Sequence, residues 1–137
     1  MNRKDFKDIS AIRLKEATIL LSNRQYSGSF YLCGYAIECA LKACIAKQVK
    51  RFDFPDKKTV NDSYTNDLKN LVKLAGLKSL LDRESSTDPL FSENWRLVIE
   101  WSEDSRYKTS TMREAQAIYT AITDPQHGVL KWIQQYW

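Results

Sequence analysis

Glycine and proline are scarce in this chain, 4 and 3 among 137 residues. Sandwiches, barrels and propellers need many tight turns, so the scarcity predicts helices joined by short connections. Histidine occurs once, at His127, which leaves little for an imidazole triad or a His-rich metal site. There is no Gly-x-Gly-x-x-Gly, no phosphate-cradling loop ending in Gly-Lys-Ser/Thr and no Gly-x-Ser-x-Gly. The glycine loops that hold nucleotides or sharpen a serine nucleophile are therefore missing. The three cysteines, Cys33, Cys39 and Cys44, are odd in number, form no Cys-x-x-Cys and lie in one apolar stretch. They read as buried, reduced thiols of a cytoplasmic protein. The start, Met1-Asn2-Arg3-Lys4-Asp5-Phe6, lacks the apolar core of a signal peptide. The most apolar run, Phe30 to Ala46, is 17 residues long and carries Glu38 and Lys42. That falls short of the ~20 apolar residues of a spanning helix, and no membrane is expected.

What is present suits a folded domain. Hydrophobic residues make up 43% of the chain, with 4 Trp, 7 Tyr and 5 Phe, enough to exclude disorder. The length fits one domain over residues 1–137. The net charge of +4 is uneven: residues 1–51 hold ten bases against four acids, and the remainder carries −2. Such asymmetry suits an anionic partner such as RNA or a nucleotide phosphate, or the solvated faces of two amphipathic helices.

Periodicity predicts five or six helices. The first runs over about Asp5 to Asn23 with Phe6, Ile9, Leu14, Ala17, Leu20 and Leu21 inward. Tyr26-Ser27-Gly28 reads as a turn, after which Ser29 to Lys50 forms a helix apolar around most of its circumference, hence central. Arg51 to Thr65 is polar and reads as a long loop, and Asn66 caps a short helix that Gly76 stops. Leu77 to Arg83 adds a turn or two, and Asp88-Pro89 opens a helix through Trp101. Thr111 and Glu114 have capping-box spacing before a helix that buries Ala115, Ile118, Ala121 and Ile122. At Asp124-Pro125 the chain kinks or restarts, leading into an aromatic helical end over Val129 to Trp137.

Two constellations carry chemistry. Tyr31, Tyr35, Glu38 and Lys42 recur every three or four residues on the second helix, hence on one face. A charged stripe on a buried helix needs compensation, either an intrahelical Glu38–Lys42 pair or a polar pocket shared with the joint near Arg106. The joint itself is Trp101-Ser102-Glu103-Asp104-Ser105-Arg106-Tyr107. Arg106 offers a planar fork for phosphate or carboxylate, and Tyr107 a stacking face. The pair suits a nucleotide or RNA backbone, or it ties down Asp104, Glu38 or free helix-end carbonyls.

Tyr35-Ala36-Ile37-Glu38-Cys39-Ala40-Leu41-Lys42-Ala43, then Thr65-Asn66-Asp67-Leu68-Lys69-Asn70-Leu71, then Asp104-Ser105-Arg106-Tyr107 together resemble the HEPN family (higher eukaryotes and prokaryotes nucleotide-binding). The resemblance covers about residues 5 to 123 and implies an all-α, up-and-down bundle that commonly dimerises. Many members of that family are metal-independent ribonucleases with an Arg, four to six residues, then a His. Here the Arg required for His127 would fall on Thr120, Ala121 or Ile122, and Asn66 stands where similar sequences often carry His. The resemblance therefore implies the other branch, a non-catalytic module without metal or cofactor, binding a nucleotide or RNA phosphate through Arg106, Tyr107, Lys42 and Tyr35. Glu38 and Asp104 would orient those groups, and a nucleotidyltransferase partner in a toxin–antitoxin or defence-type system is implied. Two other readings are a ribonuclease using Arg106, Tyr107 and Glu38 on apposed subunits, and a structural protein docking through Trp132, Tyr136 and Trp137.

Overall fold

A computed structural model describes residues 1–51 and 67–137 of the chain. Among them every regular element is helical. The α-helices are α1 (Arg3–Ser22), α2 (Tyr26–Arg51), α3 (Leu68–Leu74), α4 (Lys78–Thr87), α5 (Pro89–Val98), α6 (Met112–Thr123) and α7 (Val129–Gln134). A 3₁₀ turn over Glu103–Tyr107 joins α5 to α6. The all-α expectation holds, and the described residues alone form seven helices where five or six were expected. The turn or two foreseen at Leu77 to Arg83 is the ten-residue α4, and the chain restarts after Asp124. The predicted loop over Arg51 to Thr65 and the Asn66 cap fall, beyond Arg51, outside the described residues. The side chain that caps α3 is that of Asp67, which accepts from the Lys69 amide at 3.0 Å.

The helix ends follow local chemistry. Asn2 and Asp5 form a reciprocal capping box on α1, and Thr111 and Glu114 form the predicted one on α6. Asp88 accepts from the amides of Leu90 and Phe91 and Pro89 fills the first helical position of α5, also as predicted. The turn after α1 differs: it lies at Asn23 to Gln25, where Arg24 takes the left-handed conformation (φ 61°) that glycine usually supplies. Gly28 lies inside α2, where its bare Cα lets Leu20 of α1 come close.

Helix α2 is the axle of the fold. Cys33, Ala36, Ile37, Ala40, Leu41 and Ala43 are fully buried, and α1, α3, α6, α7 and the 3₁₀ turn all pack on it. The α1–α2 contact is lined by small residues and stitched in both directions. Ser10 Oγ donates to the Ala36 carbonyl at 2.8 Å, and Ser29 Oγ donates to the Ala17 carbonyl at 2.9 Å. Of the predicted α1 core only Ala17 is wholly buried; Phe6, Ile9, Leu14, Leu20 and Leu21 are half-buried. Ile12 and Ile19 are exposed by 52% and 53%.

Tyr26–Val49 of α2 spans 24 residues, long and apolar enough to cross a membrane by length and composition. The shortness inferred from Phe30 to Ala46 is thus corrected, because the helix extends past both ends of that run. Two-thirds of its most apolar window is covered by the protein's own helices. All seven described helices contribute to one hydrophobic core.

Candidate functional site

Trp101, just past the end of α5, fixes the joint. Its indole is 3% exposed, lies 5.9 Å from the Tyr31 ring in a stacked arrangement, and donates from Nε1 to the Tyr31 carbonyl at 3.1 Å. This close seat needs Gly34, because a Cβ there would stand inside the indole ring. A second stitch follows the 3₁₀ turn, where the Ser110 amide donates to Ser27 Oγ at 2.8 Å. Between these two ties Glu103–Tyr107 is held against α2, with Ser105 facing inward.

In a 3₁₀ turn residues three apart eclipse, so Glu103 and Arg106 share one side. Arg106 is exposed, and its guanidinium stacks 5.0 Å from the ring of Tyr107, itself 77% exposed. Tyr107, then Tyr31 and Glu103, favour its charged form. No carboxylate lies within ion-pair distance of Arg106 among the described residues. Asp104, expected to orient it, is exposed and forms no pair with it; the neighbouring carboxylate that acts on Arg106 is Glu103.

The second constellation lies deeper. Glu38 is 6% exposed and accepts from Lys42 Nζ at 3.3 Å. Burial pushes the Glu38 carboxyl above its ordinary range, Lys42 pulls it back, and Glu103 across the interface pushes it further up. Tyr35 is half-buried, 6.0 Å from the Tyr31 ring and beneath the Arg13 guanidinium at 5.9 Å. Its hydroxyl is raised chiefly by burial, then by Cys39 and Glu38. The structure therefore builds two pairs, Glu38–Lys42 inside and Arg106–Tyr107 outside, with Glu103 and Tyr31 between them. Tyr31 was in the predicted stripe, but the bridging role of Glu103 was missed. Only the 3₁₀ periodicity could have shown it.

The remaining reactive groups are engaged elsewhere. Burial raises Cys33 and Cys39 to about 12 and Cys44 to about 11, far from the thiolate a nucleophile needs. Among the described residues no three His, Cys, Asp or Glu side chains converge as metal ligands would. His127 pairs with Asp88, the residue that caps the N-terminal end of α5, whereas Trp101 lies past its C-terminal end. Trp132 is core, packed on Phe91 and Tyr136, and Trp137 is half-buried under Lys7 and tied to Arg3.

Comparison with protein-family models, with curated proteins and with solved structures yields no match to this chain.

Proposed function

We propose that this chain is a non-catalytic, HEPN-like helical module that binds a nucleotide or RNA phosphate at the Arg106–Tyr107 joint. The observation that carries the reading is the state of Arg106: exposed, with no carboxylate within ion-pair distance among the described residues, and pre-aligned by stacking on an exposed ring. A guanidinium fork of that kind takes a phosphate in bidentate fashion, and the open Tyr107 face accepts a base. Lys42 and Tyr35 lie deeper, where they shape the floor beneath Tyr31 rather than meet the phosphate first. Glu38 orients Lys42, and Glu103, rather than Asp104, is the carboxylate that orients Arg106.

The resemblance adds a homodimer and a nucleotidyltransferase partner in a toxin–antitoxin or defence-type system, and the buried, unpaired cysteines suit a cytoplasmic setting. Ile12 and Ile19, seven residues apart and more than half exposed on α1, give the dimer an apolar face. The chain's excess of bases over residues 1–51 suits an anionic ligand.

Thermal unfolding with ATP, GTP, AMP and a short RNA at low salt tests the reading, beside Arg106→Ala. A ligand at 100 times its dissociation constant, bound only to the native state, adds about 2.7 kcal/mol, a shift of several degrees at this size. The expected result is a shift with at least one ligand that vanishes in a folded Arg106→Ala. No shift with any of the four, or a shift that survives the substitution, overturns the site.

A further inference from the structure

We infer that the His127–Asp88 contact is a pH-sensitive clamp that seats the C-terminal helix α7, tightest when the imidazole carries its proton. His127 is held at three points. Its ring Nδ1 meets Asp88 Oδ2 at 2.6 Å, its amide donates to Asp124 Oδ1 at 2.8 Å, and its carbonyl accepts from Asn94 Nδ2 at 2.9 Å. The other oxygen of Asp88 caps α5 through the amides of Leu90 and Phe91. One carboxylate thus joins the head of α5 to the connection between α6 and α7, 39 residues away.

The next residue opens α7. Gly128 is packed so tightly that a Cβ would strike the carbonyls of Ile122 and Asp124. Beyond it Val129, Leu130, Trp132 and Ile133 are buried, so α7 is seated from its first residue by the position of His127.

The charged groups facing the ring are Asp88 from the head of α5, Asp124 from the end of α6 and Glu84 from α4. The imidazole side chain is 28% exposed, which lets its proton exchange with solvent. Hydrogen bonding to Asp88 raises the His127 pKa above its ordinary value, and the same bond lowers that of Asp88. A raised histidine contributes stability below about pH 6.5, lost as pH rises through the folded value. A lowered aspartate contributes above about pH 3.9, lost on further acidification. The clamp is strongest between these limits. Above the His127 value a neutral ring still donates from Nδ1, so the clamp weakens without opening.

His127 is the chain's one histidine, so its ring protons give an unambiguous NMR titration in the intact protein. We would pair that titration with amide exchange, corrected for intrinsic rates, at pH 6 and pH 8.5 in wild type, His127→Gln and Asp88→Asn. The expected result is titration above pH 6.5 and a loss of protection between the two pH values at the hydrogen-bonded amides of α7 and its C-terminal cap, residues 132–136. That loss is about tenfold per unit of raised pKa, exceeds any loss in α2, and disappears in both variants. Titration at or below pH 6.5 overturns the clamp, as does a loss in α7 no larger than that in α2. If either variant fails to fold, the wild-type titration and the α7–α2 comparison still decide.

Discussion

Glu38 sits almost wholly inside the bundle beside Lys42, and burial outweighs that cation in setting its carboxyl above the usual range. Two unequal substitutions follow. Lys42→Met leaves a buried carboxylate without its ammonium and should cost about 3 kcal/mol at pH 7. Glu38→Gln should cost clearly less, because the carboxylate's own desolvation disappears with it. A raised acid contributes stability below its unfolded pKa that is lost as pH rises through the folded value. Wild type should therefore gain on Glu38→Gln as pH falls from 7 toward 4.5. Urea unfolding of the three proteins at pH 7 and 4.5 measures both effects; equal costs, or no pH dependence of the difference, would contradict this account. The Glu38–Lys42 pair was one of two readings legible in the sequence, because four-residue spacing on a helix makes the two side chains neighbours. The pairing of His127 with Asp88 was not, since nothing local links residues so far apart, although the Asp88-Pro89 cap itself was plain.

Elements whose signals are local were readable, and those fixed by tertiary contact were not. The caps at Asp88 and Thr111 and the stop at Gly76 appear where predicted because each is a short-range hydrogen-bonding or φ requirement. The glycine at 28 misled: it serves helix approach, while Arg24 accepts the left-handed turn that glycine would normally take. Short 3₁₀ turns lack a strong sequence signature, so the joint read as polar linker although Trp101 and Ser110 bind it to α2. Gly34 is the element-scale test of that joint. Gly34→Ala should displace Trp101 and destabilise the protein by about 1–3 kcal/mol or more, since overpacking forces side chains from their wells. It should also lower the affinity of any ligand at Arg106. A variant as stable as wild type, with unchanged near-ultraviolet dichroism, would mean that the indole is not seated there.

On the scale of the whole molecule, one core draws on all seven described helices, including the short α7. Each buried side chain of that size is worth about 1.5–3 kcal/mol. The four that α7 contributes therefore rival the ~5–15 kcal/mol stability of a typical domain. Removing residues 129–137 should abolish most helicity by circular dichroism; a folded, fully helical truncation would instead make the aromatic end a docking arm. The all-helical class was legible because scarce glycine and proline and 3.6-residue periodicity act everywhere along the chain. The two-layered site was not, because its outer pair depends on how a five-residue turn lies against α2. The most direct measurement of the central claim is a titration of ¹⁵N-labelled protein with AMP and a short RNA, read at the amides of residues 102–108 and at Arg106 Nε–H. The account predicts saturable shifts there, with Tyr31 responding and the far end of α5 at His127 silent, all lost in Arg106→Ala. Saturation with residues 102–108 unmoved, or no response to either ligand, would contradict it.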